Sequence, residues 1–535
     1  MRNIKRFLPC LLSVVSLDCA AVPQDVVVND FSDAGPGNCT TTCTLRDAIG
    51  VALASVPLRP VVFPVDAVWP QTINLTKGQL TLNNTSGSIL SVTGPGAAKL
   101  AISANNLSRV LQVSAGSIEI SDLTLRDGKV AGVSPGPQGV FTGSVGQAGG
   151  AAIGGCIAID AGVTLTLDRS VVSNCVALGG TGGTGGSGPY GGGNGGMGGT
   201  GGATLGGCIS VAADATTALD EVDVRNCAAT GGNGGNGGIG ADGSPGRGGN
   251  GGAGGGGAQA SGGAIYAAGN LTMLRSSVVL SSATGGDGGT GAFGGIGGLS
   301  PDGNGGSGGP GGLAAGGALY VASSGTALIR NTTSAGDIAA GGHGGSGVSG
   351  AIGGNGGTGG MALGGLLHGE GPSGVVDVEF TTLANGAVIP GPGGSAPPGG
   401  IPGTSGEQHG AAISSGSSVT IQSALVVGAA ATALCYGNVG VAPGAANLDQ
   451  DSSCPGFTLH GTFEQTLLPL SLAATSWPAY MPAYHGAAID ASASCTQIDG
   501  VIVVPDDQHG TLRPQGGACD LGAIEADYIF VGTFD

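Results

Sequence analysis

GGAIYAAGNLTMLRSSVVLSSATGG, residues 262–286, decides the reading of the fold. A Gly-Gly pair opens it, and Ala264, Ile265, Tyr266 and Ala267 follow as a short apolar run. A second run begins about ten residues on, with Leu271, Met273, Val278 and Val279 spaced by polar residues, and a new Gly-Gly pair closes the unit. Alternation over short stretches bounded by turn residues is strand periodicity, not helix periodicity.

The unit recurs as GGCIAI at 154, GGCISV at 206, GGALYV at 316 and GGLLHG at 364, with a faded copy, GAAISS, at 410. Self-similarity at such a period, with strands and no helices between them, predicts stacked coils that share one apolar column. Upstream, between 61 and 126, the runs TINL, LTLN, ILSV, KLAIS, RVLQV, IEIS and LTLR read as the first coils. Thr44-Leu45-Arg46-Asp47 is a capping box followed by Ala48, Ile49, Val51, Ala52 and Leu53. A short amphipathic helix there covers the open strand edges at the start of the stack. The fold class expected is all-β: a right-handed parallel β-helix with a short N-terminal capping helix and Gly-rich insertions.

Those insertions are four tracts, near 179–202, 231–257, 285–312 and 341–360, made largely of Gly-Gly-x triplets. A three-residue period fits extended threefold helices packed side by side through glycine faces. Four disordered loops are the equally weighted alternative.

Composition agrees with a repetitive architecture: 117 Gly, 4% aromatic and 9% charged residues, with a mean hydropathy of +0.29. Glycine carries the largest backbone entropy cost on folding, and repeated close backbone packing offsets it. A net charge of −18 leaves no basic stripe for nucleic acid. Arg2, Lys5 and Arg6 before the apolar stretch Phe7–Leu17, with Cys19-Ala20-Ala21 after it, read as a signal peptide cleaved after Ala21. Cys19 is alternatively a lipidated cysteine, against which Asp18 stands. No run is long enough for a transmembrane span. The chain is expected to be secreted or on the cell surface.

Ten cysteines then remain, and 175−156, 227−208 and 454−435 all equal 19. No CxxC knuckle occurs, so disulfides are expected and zinc is not. In-coil pairs, Cys156 with Cys175 and Cys208 with Cys227, are favoured over between-coil pairs because the spacing recurs at Cys435 and Cys454, where no stacked partner exists. Cys39 with Cys43 and Cys495 with Cys519 then pin the two ends.

Three motifs carry a family resemblance. CTLRDAI at 43–49 resembles the CSLREA motif of bacterial surface proteins, with Thr44 for Ser and Asp47 for Glu. AAIDASASC at 487–495 and DDQHGTLRPQGGACDLGAIE at 506–525 are similar to the C-terminal signature of choice-of-anchor Q proteins, with His509 in place of Arg. The GGAIY strand resembles the degenerate repeats of polymorphic outer-membrane proteins. The resemblance implies a secreted or surface-displayed β-helix of pectin-lyase-like shape and no particular reaction. Tyr528–Asp535 offers no hydrophobic span or basic end for covalent anchoring.

Some β-helices cleave polysaccharides, and that chemistry needs clustered carboxylates with calcium and a base, or with a proton donor. Arg169, Glu221, Arg275 and Arg330 fall at equivalent repeat positions, with Asp168 and Asp220 just before and Asp223 and Arg225 just after. Such a column is either a sugar-binding or catalytic groove or, as weighed more heavily, an outward ladder of ion pairs. Asp506, Asp507 and His509 form a second set, in which Asp507 is expected to cap a turn. His343 and His368 lack metal-like spacing, and Asp242, Asp287 and Asp302 recur too sparsely for a calcium roll. No metal or cofactor is expected.

The expected organisation is a leader (1–21), a cap and first coils (22–130), repeats with glycine insertions (131–412), last coils (413–460) and a terminal segment (461–535). The leading functional expectation is a non-enzymatic adhesion, matrix-contact or coat protein whose partner is a polysaccharide or a host or matrix surface. The alternative is a polysaccharide-binding or polysaccharide-degrading protein using the 168–225 column. Binding to ice or to a crystalline polysaccharide is weaker, because no regular Thr array exists.

Overall fold

The computed structural model describes residues 24–35, 38–137, 143–428, 432–471 and 477–526. Residues 1–21, where the leader and Cys19 are expected, and the last residues 527–535 lie outside the described residues. One 27-stranded parallel sheet system winds through the chain, flanked by two 6-stranded parallel sheets. Equivalent residues stack coil on coil: Ile157 pairs with Ile209, Ile209 with Ile265, Ile265 with Leu319, Leu319 with Leu367 and Leu367 with Ile413. The chain is a parallel β-helix, and these inward side chains form its continuous core.

Helix α1, Leu45–Leu53, closes the first end. The Asp47 amide donates to Thr44 Oγ1 at 3.2 Å and the Thr44 amide to Asp47 Oδ2 at 3.4 Å, completing the capping box. Leu45, Ala48, Ile49 and Ala52 are buried against the first strands.

The Gly-Gly pair of each repeat turns the chain into its coil. Gly154, Gly206, Gly262, Gly316, Gly364 and Gly410 all have positive φ, between 55° and 72°, a region open to glycine at no steric cost. The faded copy at 410 therefore belongs to the series. Among the described residues five disulfides are present, and Cys156–Cys175, Cys208–Cys227 and Cys435–Cys454 close within coils.

The glycine tracts are ordered, which overturns the disordered-loop alternative, and they number six instead of four. Each leaves the β-helix as an outgoing arm and comes back as a return arm, and the described residues of 132–137 and 143–150, with 390–407, supply the first and sixth layers. Arms bond within a layer, to the next layer and across the two rows, as in Gly199 N to Gly183 O (2.8 Å), Gly182 N to Asn233 O (2.8 Å) and Gly235 N to Gly199 O (2.8 Å). A Cβ on Gly182 would sit 2.0 Å from Gly199 O, and one on Gly199 would sit 2.0 Å from Gln147 O. Only glycine lets the backbones approach this closely. The x residues face outward, and several serve the next layer: the Oδ1 atoms of Asn233, Asn236 and Asn250 accept the amides of Asp287, Thr290 and Asn304.

The terminal segment 477–526 has little regular structure and lies along the flank of the middle coils. Gly522 N donates to Ser423 O (2.8 Å), Ala523 N to Thr382 Oγ1 (3.0 Å) and Asn331 Nδ2 to Asp506 O (2.7 Å).

Candidate functional site

The charged column sits at a sharp corner between two strand runs of each coil. Its corner residues Asp122, Arg169, Glu221, Arg275, Asn331, Phe380 and Ser423 all have left-handed φ, between 42° and 60°. Holding such residues there costs roughly 1–2 kcal/mol each, offset by the neighbouring coils. Arg330 does not belong to this series, contrary to the expectation from repeat spacing. It pairs in register with Leu274, which pairs with Asp220, so Asn331 takes the corner beside Arg275.

The corner side chains neutralise one another. Arg169 grips Asp122 through two bonds, Nη2–Oδ2 at 2.8 Å and Nε–Oδ1 at 3.0 Å, and also pairs with Asp168. Arg275 reaches Asp220 (2.6 Å), Glu221 (3.5 Å) and Asp506 of the terminal segment (3.4 Å). Arg330 pairs with the buried Glu379, whose other oxygen accepts the Ile498 amide at 2.9 Å. Asp220 is held above the usual carboxylate range, first by burial and then by Asp168 beside it, with Arg275 opposing. The two aspartates are in-register neighbours on adjacent strands.

Asp223 and Arg225 lie beyond the corner, on its other side. Asp223 is 2% exposed, accepts Ser277 Oγ at 2.9 Å and pairs with Arg225 at 3.2 Å; burial pushes its pKa up. The six residues Asp168, Arg169, Asp220, Glu221, Asp223 and Arg225 thus do not converge in one cleft.

The second set separates as well. Asp507 is fully buried and caps backbone, accepting the amides of His509 (2.8 Å), Thr511 (2.7 Å) and Glu525 (2.9 Å). Asp506 faces Arg275, and His509 Nε2 lies 3.1 Å from Trp477 O. Nearby, Arg513 is fully buried between Glu525 (2.8 Å) and the Phe380 ring (4.6 Å), and locks the segment to Asn331 (3.4 Å). Burial lowers the Arg513 pKa, with Glu525 opposing.

Asp242, Asp287 and Asp302 accept the amides of Ile296, His343 and Gly297, each at 2.8 Å, and so serve the glycine layers. Among the described residues no group of three or more His, Cys, Asp or Glu could hold a metal ion.

Two arrangements escaped the sequence reading. Tyr266, Tyr320 and His368 stack along the axis, with ring centroids 5.5 and 5.2 Å apart. Aligning the fifth residue of GGAIY, GGALY and GGLLH would have found them. Burial holds the His368 pKa down at about 4. The other is His460, whose Nδ1 is 2.6 Å from the buried Asp449 and 3.3 Å from Ser452 Oγ, which leaves Nε2 clear of this bond. It borders an open pocket of ≈ 410 Å³ lined also by Glu464, Gln465, Tyr484 and His485. These residues are scattered in sequence and share no motif.

No protein-family model matches the chain, and no curated protein matches it. Among solved structures, the chain is similar to the crystal structure of pectate lyase Pel9A, at 11% identity and a TM-score of 0.36, covering 94% of this chain and 97% of that one. It is also similar to the catalytic unit of a thermostable GH87 α-1,3-glucanase from Streptomyces thermodiastaticus, at 14% identity and a TM-score of 0.24, covering 85% and 71%. At those scores neither similarity bears on the chemistry of this chain.

Proposed function

We propose that this chain is a non-enzymatic, exported surface or matrix-contact protein, with the β-helix as a stiff base and the glycine layers as a projecting contact element. One observation carries the reading: Arg169 and Arg275 are each held by carboxylates of the column or of the terminal segment, so neither arginine stands open toward an acidic sugar. The projecting layers meanwhile expose large apolar side chains near their tips, with Tyr190 at 80% and Leu299 at 91%, beside Ile239, Phe293 and Ile296. Exposed apolar patches of this kind mark interaction surfaces. Five disulfides fit an oxidising compartment. The signal-peptide reading and the resemblance to CSLREA and choice-of-anchor Q proteins point the same way.

A second reading, a polysaccharide-binding or polysaccharide-degrading protein, draws on the His460–Asp449 pair beside its pocket, since an imidazole oriented through Nδ1 is a competent base. The test is incubation of the oxidised chain with acidic and neutral polysaccharides, with and without calcium, following cleavage and retention. Retention without cleavage is expected. Cleavage that disappears in His460→Ala, or in an Asp220→Ala/Glu221→Ala double variant, replaces the proposal with the enzymatic reading.

A further inference from the structure

The stacked glycine layers have two unlike ends, and the sequence treats one of them specially. Along the outgoing arms, the amides of Gly132, Gly179, Gly231, Gly285 and Gly341 donate to the carbonyls of Leu178, Thr230, Thr284, Ala340 and Ile389, all at 2.8 Å. Along the return arms, Gly146, Gly198, Gly254, Gly308 and Gly356 donate to Met197, Ala253, Ser307, Asn355 and Ile401 at 2.8–2.9 Å. Every such bond points from one layer to the next, so the last layer ends in donor positions with no layer beyond it among the described residues. In that layer the register places Pro390 beside Gly341 and Pro402 beside Gly356. These two glycine columns end in the residue that has no N–H, whereas the columns through Gly344 and Gly359 end in Gly393 and Ser405, which keep theirs.

At the opposite end, the carbonyls of Val145 and Ala148 stand where Met197 and Thr200 stand in the next layer and accept from Gly146 and Gly149. Among the described residues no earlier layer supplies them with a donor, because the preceding coils turn without a glycine arm. The two ends are therefore complementary, acceptors on one and donor positions on the other. A second copy turned by half a turn about the stacking direction meets the sixth layer row for row. Chain directions then continue, and the second β-helix lies on the far side.

We propose that the sixth layer is an assembly edge fitted by the first layer of another copy of this chain, and that Pro390 and Pro402 blunt it by removing the donors of two of its columns. The device is the one edge strands use against unwanted pairing, transferred to threefold glycine helices. A head-to-tail contact of this kind does not close on itself, so an open edge would lead to filaments.

The experiment compares the full chain with a Pro390→Gly/Pro402→Gly variant by sedimentation across a micromolar concentration series. The wild type is expected to stay monomeric, while the weight-average mass of the variant rises at least twofold with concentration. A Pro390→Ala/Pro402→Ala variant restores both N–H groups with less backbone freedom, and serves if the glycine pair fails to fold. Pro310→Gly, at an outward x position in an inner layer, is expected to leave the mass unchanged. A folded variant, with wild-type circular dichroism and melting temperature, that stays monomeric throughout overturns the proposal, as does wild-type self-association over the same range.

Discussion

His368 is buried against the Tyr320 ring, and its pKa falls from 6.5 to about 4. The unfolded chain takes up this proton near 6.5 and the folded chain only near 4, so below 6.5 the unfolded state holds more protons. The stabilisation is complete above 6.5 and is lost as pH falls through that window, by about 2–3 kcal/mol between pH 7 and 4.5. His368→Phe keeps a stacking ring without the titration; denaturant melts at both pH values should show the variant losing that much less. Arg275 touches three carboxylates, one of them on the terminal segment, but all are partly exposed. Arg275→Met is expected to cost no more than about 1–2 kcal/mol and to speed proteolysis within 496–515, read by peptide mapping. The sequence exposed these residues but not their exact partners. A left-handed corner announces itself when glycine or asparagine fills it in every coil, whereas here Asn331 stands alone among Arg169, Glu221, Arg275 and Phe380, so repeat spacing aligned Arg330 instead, one position off.

Elements read more reliably than residues where local chemistry and repeat agree. The α1 capping box, the five Gly-Gly turns and the Gly410-Ala411 turn were legible because each needs a particular residue at a particular place. The outer glycine arms were not, since 132–150 and 390–407 mix in Pro, Val, Gln and Ala and keep glycine at every third place only in part, as at Gly143, Gly146 and Gly149. Their membership shows only in the interlayer bonds. The close approach makes a sharp contrast testable. Gly235→Ala places a methyl 2.1 Å from Gly183 O and is expected to cost at least about 2 kcal/mol by forcing layers apart. Asn236→Ala, one residue on, loses only the acceptor for the Thr290 amide and is expected to cost about 1 kcal/mol. Thermal melts of the two single variants check the order.

As a whole, the molecule is a stack in which each coil touches its neighbours, so stability should spread along it unevenly. Coils from 129 to 409 are joined twice, through the β-helix and through the glycine layers, whereas coils 61–126 are joined once. Hydrogen exchange read by mass spectrometry is expected to show slower opening for the doubly joined block, including the Gly235 and Gly255 amides. The terminal segment was the least legible part at this scale. Its irregular backbone meets coils far away in sequence through single bonds such as Gly522 to Ser423, and no periodicity records them. The hairpin form of each glycine layer has a further consequence. Because both arms leave and rejoin the β-helix at fixed strands, one Gly-Gly-x triplet added to each arm lifts the tip by about 9 Å and disturbs no core residue. Reach is thus a modular trait, free to lengthen or shorten in small inherited steps while the base stays the same.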